Sequence, residues 1–166
     1  HFCPGPTEFL AAFEISSGKE LWRTNEPLGG ADGPRSDKVY EGAWSTPIVA
    51  DVGNGPGKQR QIICSTNTRV NGYDPASGKL LWWCRGLRGE RGDLSYSSPV
   101  VSGDICICTG GFQGPAIGFR LTEGMMGDVT ESHRLWRAEK NPQSIGTGIF
   151  LGKHLYRPNA GPGTIE

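Results

Sequence analysis

Tyr73-Asp74-Pro75-Ala76-Ser77-Gly78-Lys79-Leu80-Leu81-Trp82-Trp83 decides the fold, because the chain writes it more than once. Phe13-Glu14-Ile15-Ser16-Ser17-Gly18-Lys19-Glu20-Leu21-Trp22-Arg23 repeats it, and Ser-Gly-Lys-x-Leu-Trp matches at every fixed position. A looser third copy begins at Phe119-Arg120-Leu121, carries an insertion from Thr122 to about Ser132, and closes in Leu135-Trp136-Arg137. The tryptophans stand 60 and 54 residues apart, a spacing that signals supersecondary units set side by side.

The motif has a local physical logic. Pro75 presets φ at the first central position of a turn, the Asp74 carboxylate can accept backbone N–H groups, and Gly78 takes the left-handed conformation that closes a hairpin. Beyond the turn, Lys79 and Leu81 point one way and Leu80 and Trp82 the other. Gly18 and Gly78 therefore deliver Trp22 and Trp82 to the same place on successive strands.

A second motif repeats in phase with the first. Trp44-Ser45-Thr46-Pro47-Ile48-Val49 answers to Tyr96-Ser97-Ser98-Pro99-Val100-Val101, and more weakly to Ile145-Gly146-Thr147-Gly148-Ile149-Phe150. Strand-like runs, Arg60 to Ser65 and Asp104 to Cys108, lie between the two motifs. Each unit then reads as four strands: one after the Ser-Pro motif, one central, one leading to Tyr73 or Phe119, and one through Leu-Trp. A four-stranded sheet buries both faces only when neighbours cover it, and radial repetition provides that cover. The expected fold is all-β, a propeller of four-stranded antiparallel blades. Trp22, Trp82 and Trp136 should fill the gaps between blades, each indole N–H finding a partner, expected to be a main-chain carbonyl.

With these residues in view, the chain resembles the pyrroloquinoline-quinone-like propeller repeats of bacterial quinoproteins, in which a Gly-Lys-x-Leu-Trp or Gly-x-x-x-Trp ending recurs in each blade. The resemblance runs from about Phe9 to Glu166. The period of the WD type, about 40 to 45 residues, is too short. The resemblance implies about three blades of a seven- or eight-bladed ring: 1–26 ending one blade, 42–86 and 95–138 forming two more, the latter with the 122–132 insertion, and 142–166 starting the next. It also implies a periplasmic, cell-envelope or extracellular setting. The chain is expected to be a fragment, with the remaining blades supplied by its parent.

The family contains two functional types. Its dehydrogenases hold the quinone and a calcium ion with a disulfide between adjacent cysteines, a stacking Trp, carboxylate and amide ligands and an Asp base; its scaffolds keep the ring and drop the cofactor. This sequence has no Cys-Cys pair, and isolated acids such as Glu90 and Asp93 cannot be matched to a hard-cation site, which needs several converging oxygens. The expectation is a cofactor-free, non-catalytic scaffold that binds protein or polymer partners through its loops. The alternative is that these residues are wall blades of a quinone- and calcium-dependent alcohol or sugar dehydrogenase.

Composition agrees with many short elements. There are 26 glycines and 12 prolines, while apolar residues make up 36%. Basic and acidic residues number 17 each, without a run of either sign, so nucleic acid is not an expected partner. No apolar run approaches the roughly 18 residues of a transmembrane segment. Five cysteines form no zinc spacing; Cys106 and Cys108 share one face of a strand and are expected to be small core residues.

Several local patterns dissolve on inspection. Gly53-Asn54-Gly55-Pro56-Gly57-Lys58 lacks the first Gly of a phosphate loop, and Gln59 stands where a hydroxyl must reach magnesium. It reads as a polar hairpin. Arg91-Gly92-Asp93 spells an adhesion tripeptide but reads as a charged turn, and His1, His133 and His154 have no ligand-spaced partners. The serines of the Ser-Pro motifs recur from unit to unit and so mark architecture rather than a nucleophile. Arg85, Arg88 and Arg91 gather in one loop, and arginine is enriched at interfaces. That loop and the insertion are where partner binding would be built.

Overall fold

The structure is a computed structural model that describes residues 2–3, 8–37, 40–141 and 145–158; His1 and the stretch 159–166 lie outside them. Strands β1 (Phe2–Cys3), β2 (Glu8–Phe13) and β3 (Glu20–Glu26) form the first antiparallel sheet. After β4 (Tyr40–Ala43), strands β5 (Ile48–Val52), β6 (Gln59–Ser65), β7 (Arg69–Tyr73) and β8 (Leu80–Arg85) form an antiparallel meander. Strand β9 (Gly92–Ser95) pairs in parallel with β4. A second meander follows from β10 (Val100–Ser102), β11 (Ile105–Thr109) and β12 (Ala116–Arg120). Within the insertion, β13 (Gly127–Asp128) reaches back to pair in parallel with β8, so that strand is not left as an open edge. The short helix α1 (Thr130–His133) then leads into β14 (Arg134–Ala138), which completes the second meander. A last hairpin joins β15 (Ile149–Leu151) to β16 (His154–Tyr156). Among the described residues the fold is all-β apart from α1 and one short 3-10 turn, in several small sheets of which none closes on itself.

The two Ser-Gly-Lys turns are the same object. Gly18 and Gly78 have φ of 71° and 72°, and each turn is closed by the same backbone pair, Gly18 N–H to Glu14 O and Gly78 N–H to Asp74 O, both 2.8 Å. Past each turn the tryptophan stands opposite a small residue: Ala12 faces Trp22, Gly72 faces Trp82 and Gly118 faces Trp136. In all three sheets the register shifts immediately after that small residue. A Cβ on Gly72 would lie 2.1 Å from the Trp82 ring, and one on Gly118 would lie 2.4 Å from Trp136. The indole thus lies across the neighbouring backbone, which only a very small residue permits.

The environments of the three indoles differ. Trp82 is fully buried between the two meanders, edge-on to Phe119 with ring centroids 5.7 Å apart. Trp22 is half-buried on the second sheet's turn; its ring fills the space beside Gly78, and its N–H donates to Pro75 O at 3.1 Å, a main-chain carbonyl. Trp82 instead donates to the side-chain Oε1 of Gln61 at 2.7 Å, and the insertion's β13 pairs beside it with Gly127 opposite Trp82. Trp136 is 43% exposed.

Strand alternation divides the interior into two cores. Ile63, Val70, Trp82 and Cys84 of the first meander pack against Cys106, Cys108, Ile117 and Phe119 of the second. On the opposite face, Cys64 and Tyr73 meet Leu10 of the first sheet, with Trp22 at the margin. Burial pushes the Cys64 and Cys84 thiols up to about 12, so both behave as small apolar groups. Gly53 to Lys58 connects β5 to β6 as a hairpin loop.

The Ser-Pro motifs are linked to one another. Thr46 N–H donates to Ser98 Oγ at 3.2 Å, and Ser98 N–H donates to Thr147 Oγ1 at 3.1 Å, so each motif passes a hydrogen bond to the equivalent hydroxyl of the next. Pro47 and Pro99 then open β5 and β10, at the strand-start position that tolerates a missing N–H. Among the described residues no helix is long and apolar enough to cross a membrane.

Candidate functional site

The connections between successive sheets emerge together at one end of the molecule. The link from β3 to β5 and the link from β8 to β10 are tied by the parallel pair β4 and β9, in which Tyr40 faces Gly92 and Gly42 faces Leu94. Tyr40, Gly42 and Trp44 alternate onto one side of that link. The Trp44 ring lies over Gly42, where a Cβ would approach it to 2.5 Å, and Tyr96 lies over Gly111 in the same way, again at 2.5 Å. Four rings then run in sequence. Tyr40 and Phe112 centroids are 6.0 Å apart, Phe112 and Tyr96 are 6.0 Å apart, and Tyr96 and Trp44 are 5.5 Å apart. Tyr40 is 73% exposed and Trp44 is 54% exposed. Phe112 and Gln113 both hold positive φ, 49° and 58°, a conformation uncommon for residues with a side chain and concentrated at functional loops.

Phe112 also borders a cleft of about 590 Å3 whose charged walls are Arg88, Glu90, Arg91, Arg137, Glu139 and Lys140. Arg137 is held in place by donating to Gly86 O at 2.9 Å and by an ion pair with Glu139. Arg88 pairs with the fully buried Asp93 at 2.9 Å and donates to Gly33 O at 2.6 Å, while Arg35 reaches Asp93 from the other side at 3.1 Å. The link after β3 is thereby stapled to the link after β8. Arg91 and Lys140 are exposed and have no partner among the described residues.

The three arginines singled out in the sequence therefore divide. Arg88 and Arg91 share the cleft, whereas Arg85 lies in an adjoining groove and pairs with Asp128 at 3.0 Å and Asp32 at 3.7 Å. Asp93 is sealed beneath two guanidiniums, so the Arg91-Gly92-Asp93 tripeptide does not present its carboxylate to solvent. His133 sits between Thr122 and Ser132 at 2.8 and 2.7 Å, and His154 lies in the last hairpin. Asp93 is engaged by two arginines and Glu90 stands exposed; among the described residues no three His, Cys, Asp or Glu gather into a metal-binding group.

A buried polar layer underlies the surface. Glu26 and Arg69 form a two-pronged pair at 2.7 and 3.0 Å between β3 and β7, both side chains 4% exposed, and Asn71 donates to the same carboxylate at 2.9 Å. Glu8 pairs across from Glu26 in the first sheet and is buried. Desolvation, reinforced by the neighbouring Glu26 and Glu41 carboxylates against a hydrogen bond from Asn67, raises its pKa to about 7.

Trp44 and Tyr96 are legible in the sequence as the heads of the Ser-Pro motifs, not as a surface. Their common place in two motifs was the available signal. No local pattern announces Phe112, which joins the row through tertiary contact alone. A scan against models of known protein families finds no match for this chain, and a search of curated proteins finds none either.

Proposed function

We propose that the chain is about three blades of a larger, seven- or eight-bladed β-propeller of the pyrroloquinoline-quinone-like repeat type, serving as a cofactor-free scaffold that binds protein or polymer partners through the loops at one end. The observation that carries this reading is the docking of Trp22 on the turn of the following sheet, with its ring on Gly78, its N–H on Pro75 O and Thr24 Oγ1 donating to Gly78 O at 2.5 Å. The hydrogen-bond relay from Thr46 to Ser98 to Thr147 supports the same head-to-tail order.

The first sheet and the second meander each carry half of that joint. Gly18 has the conformation of Gly78, yet among the described residues nothing lies within 4 Å of where its Cβ would be, and Ile15, the counterpart of Pro75, is fully exposed. At the other end Trp136, Leu135, Ile149 and Leu151 are exposed. A turn without its indole and an indole without its turn are what an incomplete ring would present. By family resemblance the setting would be the periplasm, cell envelope or extracellular space.

Sedimentation of this chain tests the reading, since two open apolar faces should drive association in the micromolar range or leave the chain only marginally folded. A monomer with one sharp melting transition would overturn the incomplete-ring assignment. Dye reduction that depended on added quinone and calcium would overturn the cofactor-free assignment and favour the dehydrogenase.

A further inference from the structure

Building on the reading of the chain as a binding scaffold, we propose that the ring row Tyr40–Phe112–Tyr96–Trp44 and the adjoining cleft form one site for an acidic polysaccharide, a glycan whose sugar units carry carboxylates.

The rings define the shape of the ligand. Successive ring centroids are 5.5 to 6.0 Å apart with interplanar angles of 38° to 83°, so the exposed rings, Tyr40 and Trp44, offer separate stacking faces rather than one continuous platform. Tyr40 and Trp44 stand out from the surface rather than lining a deep apolar pocket. A peptide anchored by apolar side chains needs such pockets, whereas the flat C–H face of a sugar needs only a ring to lie on and leaves its hydroxyls in water. The scaffold under the rings is made for this display. Gly42 and Gly111 give Trp44 and Tyr96 seats that any side chain would disturb, and the positive φ of Phe112 aims its ring between the row and the cleft.

The charges define its class. The cleft walls supply four cations, Arg88, Arg91, Arg137 and Lys140, against the carboxylates of Glu90 and Glu139. Asp93 neutralises Arg88 and Glu139 neutralises Arg137, which among the described cleft residues leaves Glu90 as the remaining carboxylate beside Arg91 and Lys140. A residual positive charge of this size suits a polymer with one carboxylate per unit. It is far short of what a phosphate backbone demands. The rings therefore hold the sugar, and Arg91 and Lys140 select the acid.

Affinity electrophoresis of the whole chain through gels containing polygalacturonate, neutral dextran or polyglutamate tests the proposal. Polygalacturonate should retard the protein, dextran should retard it much less, and the difference should shrink with salt. Trp44→Ala should weaken retardation by polygalacturonate about tenfold. Arg91→Glu with Lys140→Glu should abolish the preference for the acidic glycan over dextran, and Lys153→Glu, in the exposed β15–β16 turn, should change neither. Thermal melts matching the parent chain establish that the variants are folded. Equal retardation by polyglutamate would assign the surface to an acidic polypeptide and overturn the glycan. Absence of retardation by every polymer would overturn the site as well. Neither result touches the scaffold reading, which stands or falls on sedimentation and dye reduction.

Discussion

Replacing Trp82 with alanine removes the side chain on which the packing of the two meanders is centred. The ring is completely buried, sits edge-on to Phe119, and donates its N–H to Gln61, itself 4% exposed. Truncating a buried Trp costs about 3–5 kcal/mol in lost transfer energy and residual cavity. Leaving Gln61 Oε1 without its donor adds about 1 kcal/mol, for a total of about 5 kcal/mol. That is a large share of the 5–15 kcal/mol typical of a whole domain. Trp136→Ala should cost less than about 1 kcal/mol, because the same motif position is 43% exposed in the second meander, and Trp22→Ala should fall between. Urea unfolding followed by far-ultraviolet circular dichroism, at one protein concentration, measures all three. Gly72→Ala sharpens the test: its Cβ would meet the Trp82 ring at 2.1 Å, so it should be costly in the parent and close to neutral beside Trp82→Ala. Equal losses at the three tryptophans, or a Trp82→Ala loss under about 1 kcal/mol, would refute the packing argument.

Two further predictions concern the buried charges. Glu26→Gln leaves the Arg69 guanidinium buried without its counter-charge and should cost about 3–5 kcal/mol; adding Arg69→Met should recover part of that loss in the same urea titration. Glu8 is a carboxyl whose folded pKa is raised from 4.5 to about 7, so the folded state binds the extra proton between those values. Its contribution is fully present below pH 4.5 and is lost as pH rises to about 7, at most about 3 kcal/mol in all. Glu8→Gln should therefore be more stable than the parent at pH 8 and little different at pH 4, read from urea midpoints at the two values. A parent whose midpoint rises between pH 5 and 7 relative to Glu8→Gln would contradict the assignment.

Much of the local structure was legible residue by residue. The turn at Asp74 to Gly78 carries its own chemistry in Pro75, Asp74 and Gly78, and the strands on either side follow from alternation. The polar loop at 53–58 was readable for the same reason, since turn residues act within a few positions. Cys106 and Cys108 were legible as core because a period of two places both on one face, and both are buried. The small residues Ala12, Gly72 and Gly118 were equally visible, each directly before the aromatic that opens its motif, but their meaning depends on a cross-strand register that a linear reading does not display.

The candidate site was less accessible. Arg85, Arg88 and Arg91 look alike in the sequence, yet Asp128 and Asp32 engage the first, Asp93 engages the second, and the third is left exposed. Which arginine is free depends on carboxylates as distant along the chain as Asp32 and Asp128 are from Arg85. Glu26 and Arg69, separated by 43 residues, make a buried pair that no spacing rule predicts.

By itself, then, the sequence determined the all-β class, the repeated glycine-closed turn and the recurrence of an indole after it, because these are consequences of short-range sterics and alternation. Only the tertiary structure decided which indole is buried, which arginine is uncompensated, and which four rings meet at one end. Those outcomes are set by what the neighbouring sheet places opposite each side chain, and contacts of that kind act across space rather than along the chain.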